Sequence, residues 1–296
     1  MIFVPPIKIQ GIKTKLVPFI RANIWLHPKA VWIEPFMGSG VVGFNLAPNQ
    51  SVFSDLNPHI INFYNALKNR DFTHHDVRMF LLAEGAKLQE GGESYYKEVR
   101  SRFNQYHSPL DFLFLNRSCF NGMIRFNRSG VFNVPYGHKN ERFAKAYITK
   151  IVNQVKWIEH KIAASDWVFT CQAYRDSLKE SCNYENAFVY CDPPYIGRHV
   201  DYYDSWDIQN ESELHDLLNA CGHPYMLSTW DHNQYRKNEC LDSIWANCKK
   251  VNKEHFYYVG AKEANRNAMV EALMMNYQPP QPENKEVEFC QLCLSL

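Results

Sequence analysis

The sequence predicts an α/β fold: an open, mostly parallel sheet interrupted by a long, mainly helical insert that bears a β-hairpin. Three observations lead there. Short apolar runs at 31–33 and 187–190 and a strand at 51–54 lead to acids, Glu34, Asp192 and Asp55, as parallel strands do when their tips face a ligand. A turn with two glycines, Gly38-Ser39-Gly40, follows the first run. The strand–helix alternation then lapses after Arg70 and resumes near Trp167. The expected organisation is a discontinuous α/β half, residues 1–69 and 162–277, with an insert at 70–161 and a tail at 278–296.

Taken in order, residues 16–26 read as an amphipathic helix with Pro18 in its first turn, where a missing N–H costs nothing. Gly11 and Lys13 just ahead of it suit an anionic ligand group. After the first strand, Gly38 and Gly40 permit positive φ and close approach of a ligand to the backbone, with a helix expected to follow. Asp55, at the tip of the second strand, is placed to accept hydrogen bonds from ribose hydroxyls; capping the helix at 58–67 is its other available task, one for which Asn57 competes. In the insert, helical patterns cover 74–90 and 94–106, parted by Gly91-Gly92, and a further one covers 141–161. Between them, Asn121-Gly122 and Ser129-Gly130 are turn signals flanking aromatic runs, so residues 115–137 read as hairpin-like, with Phe120 at a tip and Asn121, Arg125 and Arg128 projecting. Such an element can enter a nucleic-acid groove and wedge where a base leaves, or serve as a lid over a ligand. Strands at 167–170, 224–229 and 251–258 complete the alternation; periodicity leaves 269–275 undecided between strand and helix. The loop 197–206, with Tyr202, Tyr203 and Trp206, is suited to covering a bound base.

Composition narrows the class. With 46% hydrophobic and 21% charged residues the chain is globular, and no run is long enough to span a membrane. Nine cysteines, an odd number without a framework spacing, suit reduced thiols and a cytoplasmic location; Cys290 and Cys293 lack the partners of a metal site, and no metal is expected. The net charge is only +1, yet residues 97–161 hold twelve Lys/Arg against four Asp/Glu, a local +8 that leaves −7 elsewhere. A basic segment in an otherwise acidic chain is a footprint for phosphate.

The chemistry concentrates at Asp192-Pro193-Pro194-Tyr195. Two prolines make the strand exit stiff and remove two donors, so a carboxylate, the Pro193 carbonyl and an aromatic face share one corner. An exocyclic amino group of a nucleobase needs two acceptors for its hydrogens and a ring to stack on once outside the helix.

These residues, together with Phe36-Met37-Gly38-Ser39-Gly40, Asn116-Arg117, Asn121-Gly122 and Phe132-Asn133-Val134-Pro135-Tyr136-Gly137, resemble the Dam-type, class alpha, DNA N6-adenine methyltransferases. The resemblance runs to about Tyr277, with Gly11-Ile12-Lys13 standing where the family usually has Gly-Gly-Lys. It implies a Rossmann-like methyltransferase sheet using S-adenosylmethionine as donor, with Ile9, Lys13, Phe36, Gly38, Asp55 and Asp192 at the cofactor. It implies Asp192, Pro193 and Tyr195 as catalytic residues, and Arg117, Phe120, Asn121, Arg125 and Arg128 as contacts to duplex DNA. A monomer, in a restriction–modification or epigenetic setting with a cognate endonuclease as a possible partner, is the expectation. Cytosine-N4 or RNA-adenine methylation, a non-catalytic nucleic-acid-binding relic, and a nicotinamide oxidoreductase are the competing readings; the last leaves the Pro-Pro-Tyr corner and the basic insert unexplained.

Overall fold

A computed structural model describes residues 1–196, 206–256 and 268–280. In chain order the elements are α1 (Val17–Asn23), β1 (Val31–Glu34), α2 (Gly43–Leu46), β2 (Gln50–Asp55), α3 (Pro58–Asn69), α4 (His74–Tyr106), α5 (Pro109–Ser118), α6 (Lys145–Ala163), β3 (Asp166–Cys171), α7 (Tyr174–Ser181), β4 (Ala187–Cys191), α8 (Ile208–Cys221), β5 (Tyr225–Asn233), α9 (Cys240–Ser243), β6 (Lys249–Phe256) and β7 (Ala268–Met275). The seven strands form one sheet in the order β3-β2-β1-β4-β5-β7-β6. The first five are mutually parallel, and β7 runs antiparallel between β5 and β6.

The central strands β1 and β4 are buried on both faces, which is why they read as continuous apolar runs. On one face Trp32, Phe53 and Phe169 pack with Phe44, Tyr64 and Trp167; on the other Ile33, Val189 and Leu227 meet Leu214, Leu218 and Trp245. Side chains alternate along β1, so Trp32 and Ile33 serve opposite cores. The segment undecided by periodicity is a strand because an antiparallel slot exists for it, with Leu227 opposite Met274 and Val251 opposite Leu273.

Three helices are shorter than expected. α1 ends at Asn23 rather than 26, because Ile24 turns extended at ψ 135°. The helix after the glycine turn is a single turn, because Ala47 precedes Pro48 and takes an extended ψ of 144°. The helix expected from 141 begins at Lys145, the chain before it being spent in turns such as Arg142 N–H to the Lys139 carbonyl, 3.1 Å. The glycine pair parts α4 into two helical segments, as its pattern suggests: Gly92 takes the non-helical φ 54°, ψ −129° and kinks the chain between them.

The insert does not stand apart from the sheet. Phe103 of α4, Phe112 of α5, and Ile151 and Val155 of α6 belong to one continuous core with α3 and the Trp32 face. Its hairpin is short: Phe126 bridges Phe132, Asn127 N–H reaches the Val131 carbonyl at 3.0 Å, and Asn133 N–H the Arg125 carbonyl at 3.2 Å. The tip is therefore at 127–131, closed by the Asn127 side chain accepting from Ser129 and Val131 N–H. Phe120, expected at a tip, lies instead at the base in a single 3₁₀ turn, Phe120–Gly122, its N–H bonded to the Pro135 carbonyl at 2.9 Å.

Candidate active site and recognition loop

The strand β1 has β2 on one side and β4 on the other, and the chain direction of crossing reverses between them. This switch point is where open α/β sheets leave a crevice beyond the strand carboxyl ends. A cavity of about 340 Å³ opens there, lined among others by Ile9, Lys13, Phe36, Gly38, Asp55 and Asp192. All six positions expected at a cofactor thus border one space, as do Pro193 and Tyr195.

Asp55 ends β2 with one carboxylate oxygen accepting from Gly38 N–H at 2.8 Å and the other from Asn57 N–H at 2.8 Å. It is not the cap of α3: Asn57 is, through Oδ1 to His59 and Ile60 N–H. Burial pushes the Asp55 carboxyl up, and the two backbone donors oppose that shift. Gly38, at φ +50°, can turn the chain here, and a Cβ built on it would meet only Ile9 Cδ1, at 3.7 Å. Phe36 stacks on Tyr174 with centroids 5.3 Å apart and meets the edge of Trp206 at 5.6 Å. Trp206 is the described end of the loop expected to cover a base; residues 197–205, with Tyr202 and Tyr203, lie outside the described residues, as do His199, Cys290 and Cys293.

Beside these, Glu34 is buried under the glycine turn, its Oε2 accepting from Trp32 Nε1 at 2.8 Å. Burial drives its carboxyl well above the ordinary range, and neighbouring Asp192 and Asp55 push the same way. Glycine is required at 43, where a Cβ would come within 2.2 Å of that carboxylate and of the Phe53 ring.

The Asp192 corner is held by the N-terminal segment. Lys13, buried in the turn before α1, sits 3.0 Å from Asp192 Oδ1, donates to the Tyr195 hydroxyl at 2.7 Å and lies 4.6 Å from that ring's centroid. Expected to meet an anionic ligand group, it is drawn onto a carboxylate of the chain itself. Burial raises the Asp192 carboxyl above its ordinary value; Lys13 opposes the shift and Glu271 adds to it. The Tyr195 hydroxyl donates to Glu271 Oε2 at 2.5 Å. Tyr174 and Glu271 are absent from the residues singled out in the sequence, because each is brought in by tertiary packing from an element without a signature of its own.

The five residues expected at DNA divide. Asn121, at φ 54°, and Arg128 are exposed, and Phe120 is 49% exposed. Arg125 is half-buried, with Nε donating to Asn133 Oδ1 at 2.8 Å. Arg117 does not belong with them. It is 2% exposed, and its guanidinium donates to the Pro6 carbonyl at 2.7 Å, Gln154 Oε1 at 2.7 Å and the Tyr147 hydroxyl at 3.3 Å. The reason is that α5 is enclosed on every side, burying each residue from Asp111 to Ser118, so Arg117 lies between the N-terminal segment and α6.

A mostly parallel sheet with an Asp-Pro-Pro-Tyr corner at its switch point, flanked by a basic insert, defines a methyltransferase acting on nucleic acid. The chain belongs to the D12 class N6 adenine-specific DNA methyltransferase family, whose sequence pattern matches residues 10–265. It is similar to the DNA adenine methylase of Serratia marcescens, 35% identical over 241 residues covering 76% of this chain and 83% of that enzyme. With the DNA adenine methylase of Vibrio cholerae it shares 31% over 195 residues, 64% of each chain. The type II methyltransferase M.FokI of Planomicrobium okeanokoites is 27% identical over 286 residues, 92% of this chain but 42% of that one. No helix among the described residues is long and apolar enough to cross a membrane, and no group of three or more His, Cys, Asp or Glu among them is arranged to hold a metal ion.

Proposed function

We propose that this chain transfers a methyl group from S-adenosylmethionine to N6 of an adenine flipped out of duplex DNA at a specific sequence. The observation that carries the reading is the contact of one cavity with both Asp55 and the Asp192–Tyr195 corner. The donor set suits that cofactor: a carboxylate at a strand tip for a ribose diol, apolar Ile9 and Phe36 for a purine, and a glycine turn that leaves room beside the backbone. When bound, the cofactor supplies a methyl group already activated by a sulfonium. The chain's task is then chiefly alignment. The Asp192 carboxylate and the Pro193 carbonyl accept the two amino hydrogens, turning the nitrogen lone pair out of the ring and stabilising the charge that develops on it. Tyr195 offers its face to the extruded base. Lys13 stays on Asp192 Oδ1 and orients the carboxylate, which leaves Oδ2 for the amino group.

For recognition we propose Asn121, Arg125 and Arg128 on the hairpin, with Phe120 at its base beside the vacated stack. The residues 70–161 form the recognition insert and 1–69 with 162–277 the catalytic part. The setting we propose is a restriction–modification or an epigenetic system, the first in keeping with the M.FokI match and the second with the DNA adenine methylases. Incubation with radiolabelled donor and plasmid DNA, followed by nucleoside analysis, tests the reading. Label in N6-methyladenine of the plasmid supports it; label in N4-methylcytosine, or label only in a parallel incubation with RNA, replaces it with one of its competitors.

Two further expectations belong to this site. Asp55→Ala is expected to weaken donor binding by about 1.5–3 kcal/mol, the usual value of a charge-assisted hydrogen bond. Calorimetry showing unchanged affinity would return Asp55 to a purely structural role at Gly38 and Asn57. Arg125→Ala is expected to cost roughly 1–3 kcal/mol at one base position and to relax the preference there, as loss of a bidentate arginine contact does. Arg128→Ala, acting on a phosphate, should weaken all sequences alike and lower the salt slope by about one unit. Methylation-site sequencing in a methylation-free host separates the two.

A further inference from the structure

On β7, Glu271 shares its face with Leu273 and Met275, both in the apolar core, yet it is 1% exposed itself. Burying an unpaired carboxylate at such a position is strongly unfavourable, so packing does not account for it. Its register partner on β5 is Trp230, which brings it to the edge of the Asp192 corner. There its Oε2 accepts from the Tyr195 hydroxyl at 2.5 Å, that hydroxyl accepts from Lys13 Nζ at 2.7 Å, and Lys13 Nζ reaches Asp192 Oδ1 at 3.0 Å. Three segments remote in sequence are thus tied into one chain of charge-assisted bonds that includes Glu271.

What that chain controls is the attitude of a ring. Pro193 and Pro194 stiffen the backbone leading to Tyr195 but leave the ring torsion in a broad well. The hydroxyl, at the far end of the ring, is the lever by which its plane is set, and Glu271 holds that lever from a rigid strand. We propose that Glu271 is a positioning residue for methyl transfer: through the Tyr195 hydroxyl it sets the ring on which the target base stacks and keeps Lys13 beside Asp192. The inference rests on reading the Asp192–Tyr195 corner as the transfer site.

Glu271→Met is the decisive variant, since it matches the apolar face and the side-chain length while removing the acceptor. With the full chain, radiolabelled donor and plasmid DNA, its single-turnover rate is expected to fall about tenfold, the scale on which small misplacements act, with KM for DNA and the thermal midpoint little changed. Tyr195→Phe should show a loss of the same size, and the double variant should be no slower than Tyr195→Phe alone. Glu271→Gln, which retains an acceptor oxygen, should recover most of the rate. An active wild type with a full-rate Glu271→Met, or losses that multiply in the double variant, overturns the inference. So does a Glu271→Met loss that follows a lowered midpoint and is not recovered by Gln. A wild type that transfers no methyl group to DNA overturns instead the reading of the corner on which it rests.

Discussion

Asp192→Ala is expected to lower methyl transfer to duplex DNA by a factor of about 10³ or more while leaving the fold intact. A single preorganised group aimed at developing charge is worth about 10²–10³ in rate, and Asp192 is also the alignment point for the nitrogen. The fold should survive because Asp192 lies beyond the end of β4, whose apolar side chains make the core contacts. Removing it even relieves a carboxylate that burial and Glu271 push upward, at the expense of the Lys13 ion pair. Asp192→Asn keeps one acceptor oxygen and should show a partial defect. Activity in the wild type should follow the ionised form of Asp192. Its acid limit is therefore expected above the ordinary aspartate range, methyl transfer being lost as pH falls through that raised value. A purified Ala variant with near-normal turnover, or an acid limit at the ordinary carboxylate value, would remove Asp192 from the reaction.

The parts of the fold that could be read in advance are those with a local cause. β1 and β4 announce themselves because strands buried on both faces are unbroken apolar runs, β2 follows from its place after the glycine turn, and the acids at the three tips stand out beside them. Asp55 and Asp192 bordering a common cavity follows from strand order alone. Gly92 was legible as a break, though whether a glycine pair ends a helix or bends it depends on what grips the two halves. Arg117 shows the opposite limit. Basic charge near a hairpin suggests phosphate, but whether an arginine faces solvent is decided by what packs around its helix, and α5 is covered on every side, Asn116 and Ser118 being buried as well. Phe120 was misplaced for a related reason: Asn121-Gly122 makes a 3₁₀ turn that starts the loop, while the reversal itself is made by Asn127 and Gly130. Glu271 carried no local signal at all, since one acid in an apolar strand gains meaning only when β7 is set beside β5.

What grips the two halves of α4 is a buried ionic cluster, and Arg102→Ala is expected to destabilise the chain by about 2–4 kcal/mol. Arg102, after the kink, donates from Nε to Asp111 Oδ2 at 2.8 Å and from Nη2 to Asp111 Oδ1 at 2.5 Å and Glu84 Oε2 at 2.7 Å. Glu84 lies before the kink and Asp111 on α5, so one guanidinium joins three helical segments. Burial alone would raise the Glu84 carboxyl, but hydrogen bonds from Lys87, Tyr95 and Arg102 outweigh it and hold the group below its ordinary value. Deleting one partner of a buried ion pair costs about 3–5 kcal/mol because the other charge is stranded; Arg102 is 39% exposed, and water reaching the gap reduces that figure. The consequence should extend to recognition, since Asn104, two residues on, clasps Phe132 of the hairpin by Oδ1 from N–H at 2.8 Å and Nδ2 to the carbonyl at 3.2 Å. Denaturant titration measures the first effect, and DNA affinity at a temperature where the variant remains folded measures the second. Neutralising the stranded acids, as Arg102→Met with Glu84→Gln and Asp111→Asn, should restore much of the stability, because the loss comes from uncompensated charge. If the triple variant is no more stable than Arg102→Ala, the cluster acts through packing of the arginine stem, and the kink at Gly92 is held by the surrounding core.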